Sequence, residues 1–479
     1  GDTAGQTFSI STDTLTNNAT LSVTAGTMNV SGTAFTNSLG ASVTAGANTT
    51  LNITPTTTFT NGGTLTLGGT THTIGGASTI WTNAGSLALN SGTLNLNGPY
   101  TTAGLTSNLG ATHYTRAAGT TFNFNGTLTN TGNTLDIGGA GIFGAGGLSA
   151  LNSGTIIGGT LVSNDGTILN SSSGTLNSVT IGSNLTESGF LQISGDLTLA
   201  NGVTVNKGNS QWNFITPGTQ HIAIVTGSAT INNSGGTLFA AVGGAGTLQI
   251  DSGVTLRGFG GLSQSSLATI INNGSIIGDT AGQTFSISTD TLTNNGTLSV
   301  TAGTMTVSSL TFTQPGTINL AGGATFTRTA GFINAGLITG SGTLNLGTGT
   351  LTNNGTLTPG GALGAGTLNI TGNLVNGASA TINVEIGGIA PGTQYDVIAV
   401  SGSATVGGTL NGSLINGFAP TSVQNFDIIT GASVSGSFGT SNLPPGFNGA
   451  VVGNFYRLNQ SGVFCIGICW NGGAGTTLW

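Results

Sequence analysis

Charge is nearly missing from this chain. Its 479 residues hold 12 acidic and 5 basic side chains, 4 % charged in all, where about a quarter is usual. The cations Arg116, Lys207, Arg257, Arg328 and Arg457 stand singly, and the net charge is −7. A nucleic-acid partner needs clustered cations to neutralise phosphates, so that class is excluded. Anionic membrane surfaces are excluded for the same reason. With little charge to repel, nothing electrostatic opposes self-association. Good helix formers such as Glu, Lys, Arg and Met are scarce too, so helices are not expected. No apolar run approaches the ~20 residues of a membrane span. No signal peptide is evident, and the first residue is Gly, which reads as a mature or processed chain or a fragment.

Only two cysteines occur, Cys465 and Cys469, in FCIGICW. They read as a disulfide closed across a tight turn, or as buried free thiols. Zinc is the weakest reading, because no third or fourth ligand lies nearby.

What is present is glycine, at 87 residues, with Thr, Asn and Ser, on a background that is 36 % hydrophobic. Polarity without charge could suggest disorder, but the regularly placed apolar residues and the lack of high net charge oppose that reading. The recurring unit is a turn through Asn-Gly or Ser-Gly, then Thr or Ser, Leu or Ile, a polar residue and an apolar one. NSGTLNLNG from Asn90, NNGTLSVTAGTMTV from Asn294 and GAGTLNITGNL from Gly364 are examples. Period-two alternation with Asn-Gly punctuation is the strand-and-turn signal.

The units recur about every ten residues, in coils of about 20–25, which is the mark of a solenoid. The chain is therefore expected to be all-β, a parallel β-helix (β-solenoid), right-handed by the crossover rule, with on the order of 20 coils. Leu and Val should stack in the interior, and Asn and Thr in ladders at the turns, since uncharged side chains tolerate like-on-like stacking. Residues 1–386 read as repetitive coils. Residues 387–464 read as a more irregular β-rich region, with longer strands and more Pro, Phe and Tyr. Residues 465–479 read as an aromatic, Cys-containing tail.

Two C-terminal elements, YDVIAVSGSATVGGTLNGSLINGF from Tyr395 and FDIITGASVSGSFGTSNLPPGF from Phe426, carry a resemblance. With the Gly-Thr-Leu coils before them, they resemble the C-terminal part of bacterial autotransporter passengers and related large secreted β-helix proteins. The resemblance implies a β-helix and an extracellular or cell-surface location; it implies no enzyme. No β-barrel translocator follows before Trp479, so another export route or loss of the barrel would be needed.

Candidate chemistry is sparse, and no catalytic residue, metal ligand or cofactor is expected. Asp2 and Asp13 recur as Asp279 and Asp290 in a copied coil, which suggests structure. Asp396 and Asp427 read as turn caps. His72, His113 and His221 are isolated and read as surface or turn residues. GGAGIFGAGG from Gly138 has glycines but no directly flanking basic or acidic partner, and reads as a tight turn. Thr-x-Thr pairs such as Thr58–Thr60 suggest an ice-binding face, but strand propensity explains them. A polysaccharide-active enzyme ranks third among the functions, since stacked coils could bring distant carboxylates together.

The strongest functional signal is a duplication. GDTAGQTFSISTDTLTNNATLSVTAGTMNV from Gly1 returns from Gly278, changed only at Ala19/Gly296 and Asn29/Thr306. An edge made of an ordinary internal coil carries no cap, and uncapped strand edges pair with other chains. The expectation is a secreted structural protein that assembles head to tail into a filament or matrix. Gly1, Phe8 and Ile10 form one contact, and Phe464, Trp470 and Trp479 the other. The partner is the chain itself, with a cell-surface or matrix polysaccharide as a further candidate. The runner-up is a monomeric surface adhesin or stalk.

Overall fold

The computed structural model describes residues 1–361, 364–420 and 423–460. The chain is an all-β parallel β-solenoid of about 17 turns. It divides into two compact units, Gly1–Ser275 with Ser288–Asp290, and Ile276–Ile287 with Thr291 onward.

The first unit shows how the sequence makes a coil. Strand β1 (Thr7–Asn17) bends to serve two faces, and β2 (Thr20–Val23) makes a third. One coil on, β3 (Thr27–Asn37) lies parallel on β1, and β4 (Ser42–Ala45) on β2. Gly32 forms the bend in β3, at φ 122°. A Cβ there would fall 1.7 Å from the Thr12 carbonyl oxygen, so only glycine fits. Alternation then sorts the side chains. Thr7, Thr27, Thr50, Thr71, Thr93 and Thr121 form one outward column in strict register. Next to it runs the inward column Phe8, Met28, Leu51, His72, Leu94 and Phe122. On the second face Phe35 stacks on Phe59 at 5.2 Å and Phe59 on Trp81 at 6.4 Å, nearly coplanar in both cases.

Asparagine closes the corner after this second face. Asn17 donates to Asn37 (2.8 Å), Asn37 to Asn61 (2.7 Å) and Asn61 to Asn83 (2.7 Å). The same Nδ2 groups donate to the third-face carbonyls of Ser42, Thr64 and Ser86. The ladder is inside the solenoid: Asn37 and Asn61 are fully buried. A carboxamide has both a donor and an acceptor, so each copy satisfies the next.

The ladder ends at an element the composition did not foretell. Among the described residues the one α-helix is α1 (Thr102–Leu109), capped by the Thr101 hydroxyl, which accepts from the Gly104 N–H. It lies over strand Ile80–Asn83 in place of a further strand. The Asn108 carboxamide stands in for a peptide group there, accepting from the Asn83 N–H (3.0 Å) and donating to the Trp81 carbonyl (2.7 Å). The insertion lengthens its coil, with Asn95 meeting Asn123 28 residues on. Such longer coils lower the turn count below the one expected.

The second unit repeats the plan. Thr297–Val300, Thr317–Leu320, Leu337–Gly340 and Thr356 onward stack in parallel. Its corner ladder runs Asn294 to Gln314, and Asn334 to Asn353 to Asn376, at 2.7–2.8 Å. Parallel pairing continues past Gly387, through Val397–Val400, Ser403–Val406 and Thr409–Leu414, as far as Asn442. There the pattern changes. Phe447–Val452 and Phe455–Gln460 form an antiparallel hairpin, and its second strand pairs antiparallel with Gln424–Thr430. Phe426 of that strand and Phe447, Tyr456 and Leu458 of the hairpin are buried.

Candidate functional site

The outer edge of the first coil is built from β1 and β2. Among the described residues each pairs on one side, with β3 and β4. Gly1 is held there: its carbonyl accepts from Thr24 (2.7 Å) and Ala25 (3.2 Å). It borders a depression of about 490 Å³ with Phe8, Gln6, Ser22 and Thr24. Phe8 is 51 % exposed; Ile10, Leu15 and Leu21 are half-buried. In the duplicate stretch the same residues, Phe285, Ile287, Leu292 and Leu298, are at most 1 % exposed. Gly1, Phe8 and Ile10 thus share one edge. Phe464, Cys465, Cys469, Trp470 and Trp479 lie outside the described residues.

Two grooves are the other candidates. The first, about 650 Å³, runs beside α1 between Ile80, Trp81, Tyr100 and His113. Its aromatic rings are buried at their own strands, and Ile80 is the exposed apolar residue, at 58 %. The second, about 750 Å³, is lined by Thr339, Thr358, Asn383, Asn411 and Glu385. Glu385 is the one carboxylate in that lining. Asp396 is fully buried behind it, its oxygens accepting from the Gly366 N–H (2.8 Å) and the Glu385 N–H (2.9 Å). Burial pushes this carboxyl up to about 7, against the pull of those two bonds. Two carboxylates therefore do not face one substrate in this groove. The chain matches no protein-family model and no curated protein.

Several sequence readings change once coils are stacked. His72 is neither a surface nor a turn residue. It fills the apolar column between Leu51 and Leu94, fully buried, with Nε2 accepting from the Gly69 N–H (3.1 Å). Burial pushes its imidazole down to about 4. Asp396 and Asp427 do not share a role. Asp427 receives a two-pronged bond from Arg457, at 2.6 and 2.8 Å, across the antiparallel pairing. The GGAGIFGAGG loop does have charged partners: Asp136, two residues before it, and Arg116 and Asp165 from neighbouring coils. Arg116 donates to the Phe143 and Gly147 carbonyls, and Asp136 and Asp165 accept from the Gly138 and Gly139 N–H groups. His113 bonds the Gly85 carbonyl and His221 lies 3.0 Å from Asp251.

Among the described residues no cluster of three or more His, Cys, Asp or Glu side chains forms. No helix among them is long and apolar enough to cross a membrane. The polar side chains that come together mostly serve coil-to-coil bonding. The Asn corner was foreshadowed in sequence by apolar-x-Asn triplets such as Phe35–Asn37, Phe59–Asn61 and Trp81–Asn83. The buried histidine, lysine and arginine had no comparable signal.

Proposed function

We propose that this chain is a structural β-solenoid of a secreted or cell-surface protein, and that its outer first coil accepts a further parallel β-coil, extending a filament or matrix. The observation that carries this is the contrast between Phe8, 51 % exposed, and its duplicate Phe285, 1 % exposed. One sequence thus occurs once covered and once open. A covering coil would find apolar columns headed by Phe8 and Ile10, an unpaired strand backbone, and the Oδ1 of Asn17. Among the described residues that oxygen takes a 3.3 Å contact from the Ala19 N–H, at the acceptor end of the Asn ladder. A coil with an asparagine at its corner, like those of Asn37 and Asn61, supplies the matching donor. A coil from the same polypeptide or from a second copy would meet the same surface.

A second reading, a stalk for a surface adhesin, is favoured by the C-terminal hairpin. There the strand Gln424–Thr430 takes an antiparallel partner in place of a further parallel coil. The resemblance to autotransporter passengers fits either reading, as does a surface polysaccharide partner for the exposed Thr and Asn columns.

Negative-stain electron microscopy with sedimentation, across a concentration series of the purified chain, separates the two. Filaments that shorten with Phe8→Asp support extension by coil stacking. Single particles at every concentration leave the stalk.

A further inference from the structure

Within the first unit, three successive coils bring Glu187, Lys207 and Asn233 together inside the solenoid. Leu185 and Thr186 pair with Val205 and Asn206, and Asn206 and Gly208 pair with Asn232 and Asn233. The register shifts between Asn206 and Gly208, so Lys207 bulges at that point. The three side chains are 2 %, 0 % and 1 % exposed. Leu169, Leu185, Leu191, Val205 and Trp212 wall the space around Glu187, and the void left there is about 10 Å³. That is room for one water at most.

Hydrogen bonding in this pocket is not that of an ordinary ion pair. Lys207 Nζ lies 3.2 Å from Asn233 Oδ1 and donates to the Ser210 carbonyl. Glu187 Oε2 accepts from Trp212 Nε1 (2.7 Å) and from the Ser210 hydroxyl, and Oε1 is buried without a partner. Asn233 Nδ2 donates to the Gly236 carbonyl (2.8 Å), which orients the carboxamide with its oxygen toward the lysine. Gly236 must be glycine, since a Cβ there would collide with Nζ and with the Ser210 carbonyl. Burial pushes the Lys207 ammonium down to about 8 and the Glu187 carboxyl up. Burial thus shifts both groups toward their uncharged forms. Well-packed apolar residues would serve stability as well as buried ionisable ones, so a lysine, an amide and an acid meeting in a dry pocket call for a chemical role.

We propose that Lys207 and Asn233 are joined in the folded chain by an intramolecular amide bond, which staples one coil covalently to the next. The Nζ lone pair attacks Cγ of Asn233 and a C–N bond forms. Nζ gives up one proton, which Glu187 relays to the departing nitrogen. The Cγ–Nδ2 bond breaks, and Nδ2 leaves as ammonia with its own two protons and the relayed one. Glu187 is regenerated, and no oxidant or co-reactant is required. Fixed proximity in a water-excluded site supplies the drive that free lysine and asparagine lack.

Mass spectrometry of the full chain tests this. The expected result is a branched fragment joining the peptides of Lys207 and Asn233, lighter than their sum by one ammonia. The branched fragment is decisive because Asn-Gly sites elsewhere can lose ammonia by cyclising on themselves. Recovery of Lys207 and Asn233 solely in linear peptides from the folded chain overturns the proposal. Glu187→Gln is expected to leave folded chains unlinked; a link that persists there removes Glu187 from the reaction. Lys207→Met, which cannot form the bond, gives the mass reference for the unlinked fragments.

Discussion

Asn61 donates its side-chain N–H to the Oδ1 of Asn83 across 2.7 Å, joining two buried carboxamides of successive coils. Asn61 also accepts from Asn37 at 2.7 Å. An interior position that would otherwise be apolar is thus occupied by a continuous polar chain, in which each member is satisfied by its neighbours. Such a network is stable only as a whole, because one missing member strands a donor above and an acceptor below.

Asn61→Ala is therefore expected to cost more than its size suggests. It leaves the Oδ1 of Asn83 without its donor and removes the better of two acceptors of Asn37. A loss of about 2–4 kcal/mol is expected from two compromised buried groups. The urea midpoint checks this, and a shift no larger than that of an exposed Thr→Ala change would refute the network's role.

Phe8 and Phe285 make an internal control. Phe285→Ala should destabilise by about 3–5 kcal/mol, as for other buried aromatics. Phe8→Ala should change the stability of the isolated chain by no more than about 0.5 kcal/mol. Its effect should appear instead in association. Equal destabilisation by the two changes would mean that the first coil is not an open edge.

Stability should respond to pH through His72. Its folded value, about 4, lies below the ordinary 6.5, so the unfolded chain binds the proton more tightly. The contribution is complete above pH 6.5 and is lost as pH falls toward 4, roughly 3 kcal/mol at most. His72→Leu, which matches Leu51 and Leu94 in its column, should remove this acid-side loss. Asp396 works in the opposite sense. Its folded value is about 7 against an ordinary 3.8, so its contribution is present below pH 3.8 and fades as pH rises through 7. Asp396→Asn should flatten that part. Denaturation midpoints of wild type and each variant at pH 4, 5.5 and 7 separate the two contributions.

Asn108 tests the replacement of a strand by a helix. Asn108→Ala removes the partners of the Asn83 N–H and the Trp81 carbonyl at a covered strand edge, costing about 2 kcal/mol. Hydrogen exchange at the Asn83 amide should accelerate. Unchanged protection there would show that α1 holds the edge without this side chain.

The parallel solenoid was legible because its causes are local. Period-two alternation sets which face each side chain takes, and Asn-Gly and Ser-Gly set where the chain turns. The Thr column from Thr7 to Thr121 and the apolar columns beside it follow from that pattern once coils are in register. The α1 segment TAGLTSNL was not legible, because its apolar residues are too few to stand out from the surrounding strands. Its stability comes from what it covers.

The sequence by itself determined the all-β class, the coil repeat, the scarcity of charge, and the duplication that makes Phe8 and Phe285 comparable. Tertiary structure alone decided which polar residues meet. His72 entering a leucine column, and Glu187, Lys207 and Asn233 converging, depend on register between coils about 20–30 residues apart, and Arg457 reaching Asp427 depends on the antiparallel pairing of its strand. That register is set by coil length, and coil length varies with each turn and insertion. A one-residue slip would send an inward side chain to the surface, so no local reading of these residues could reveal their partners.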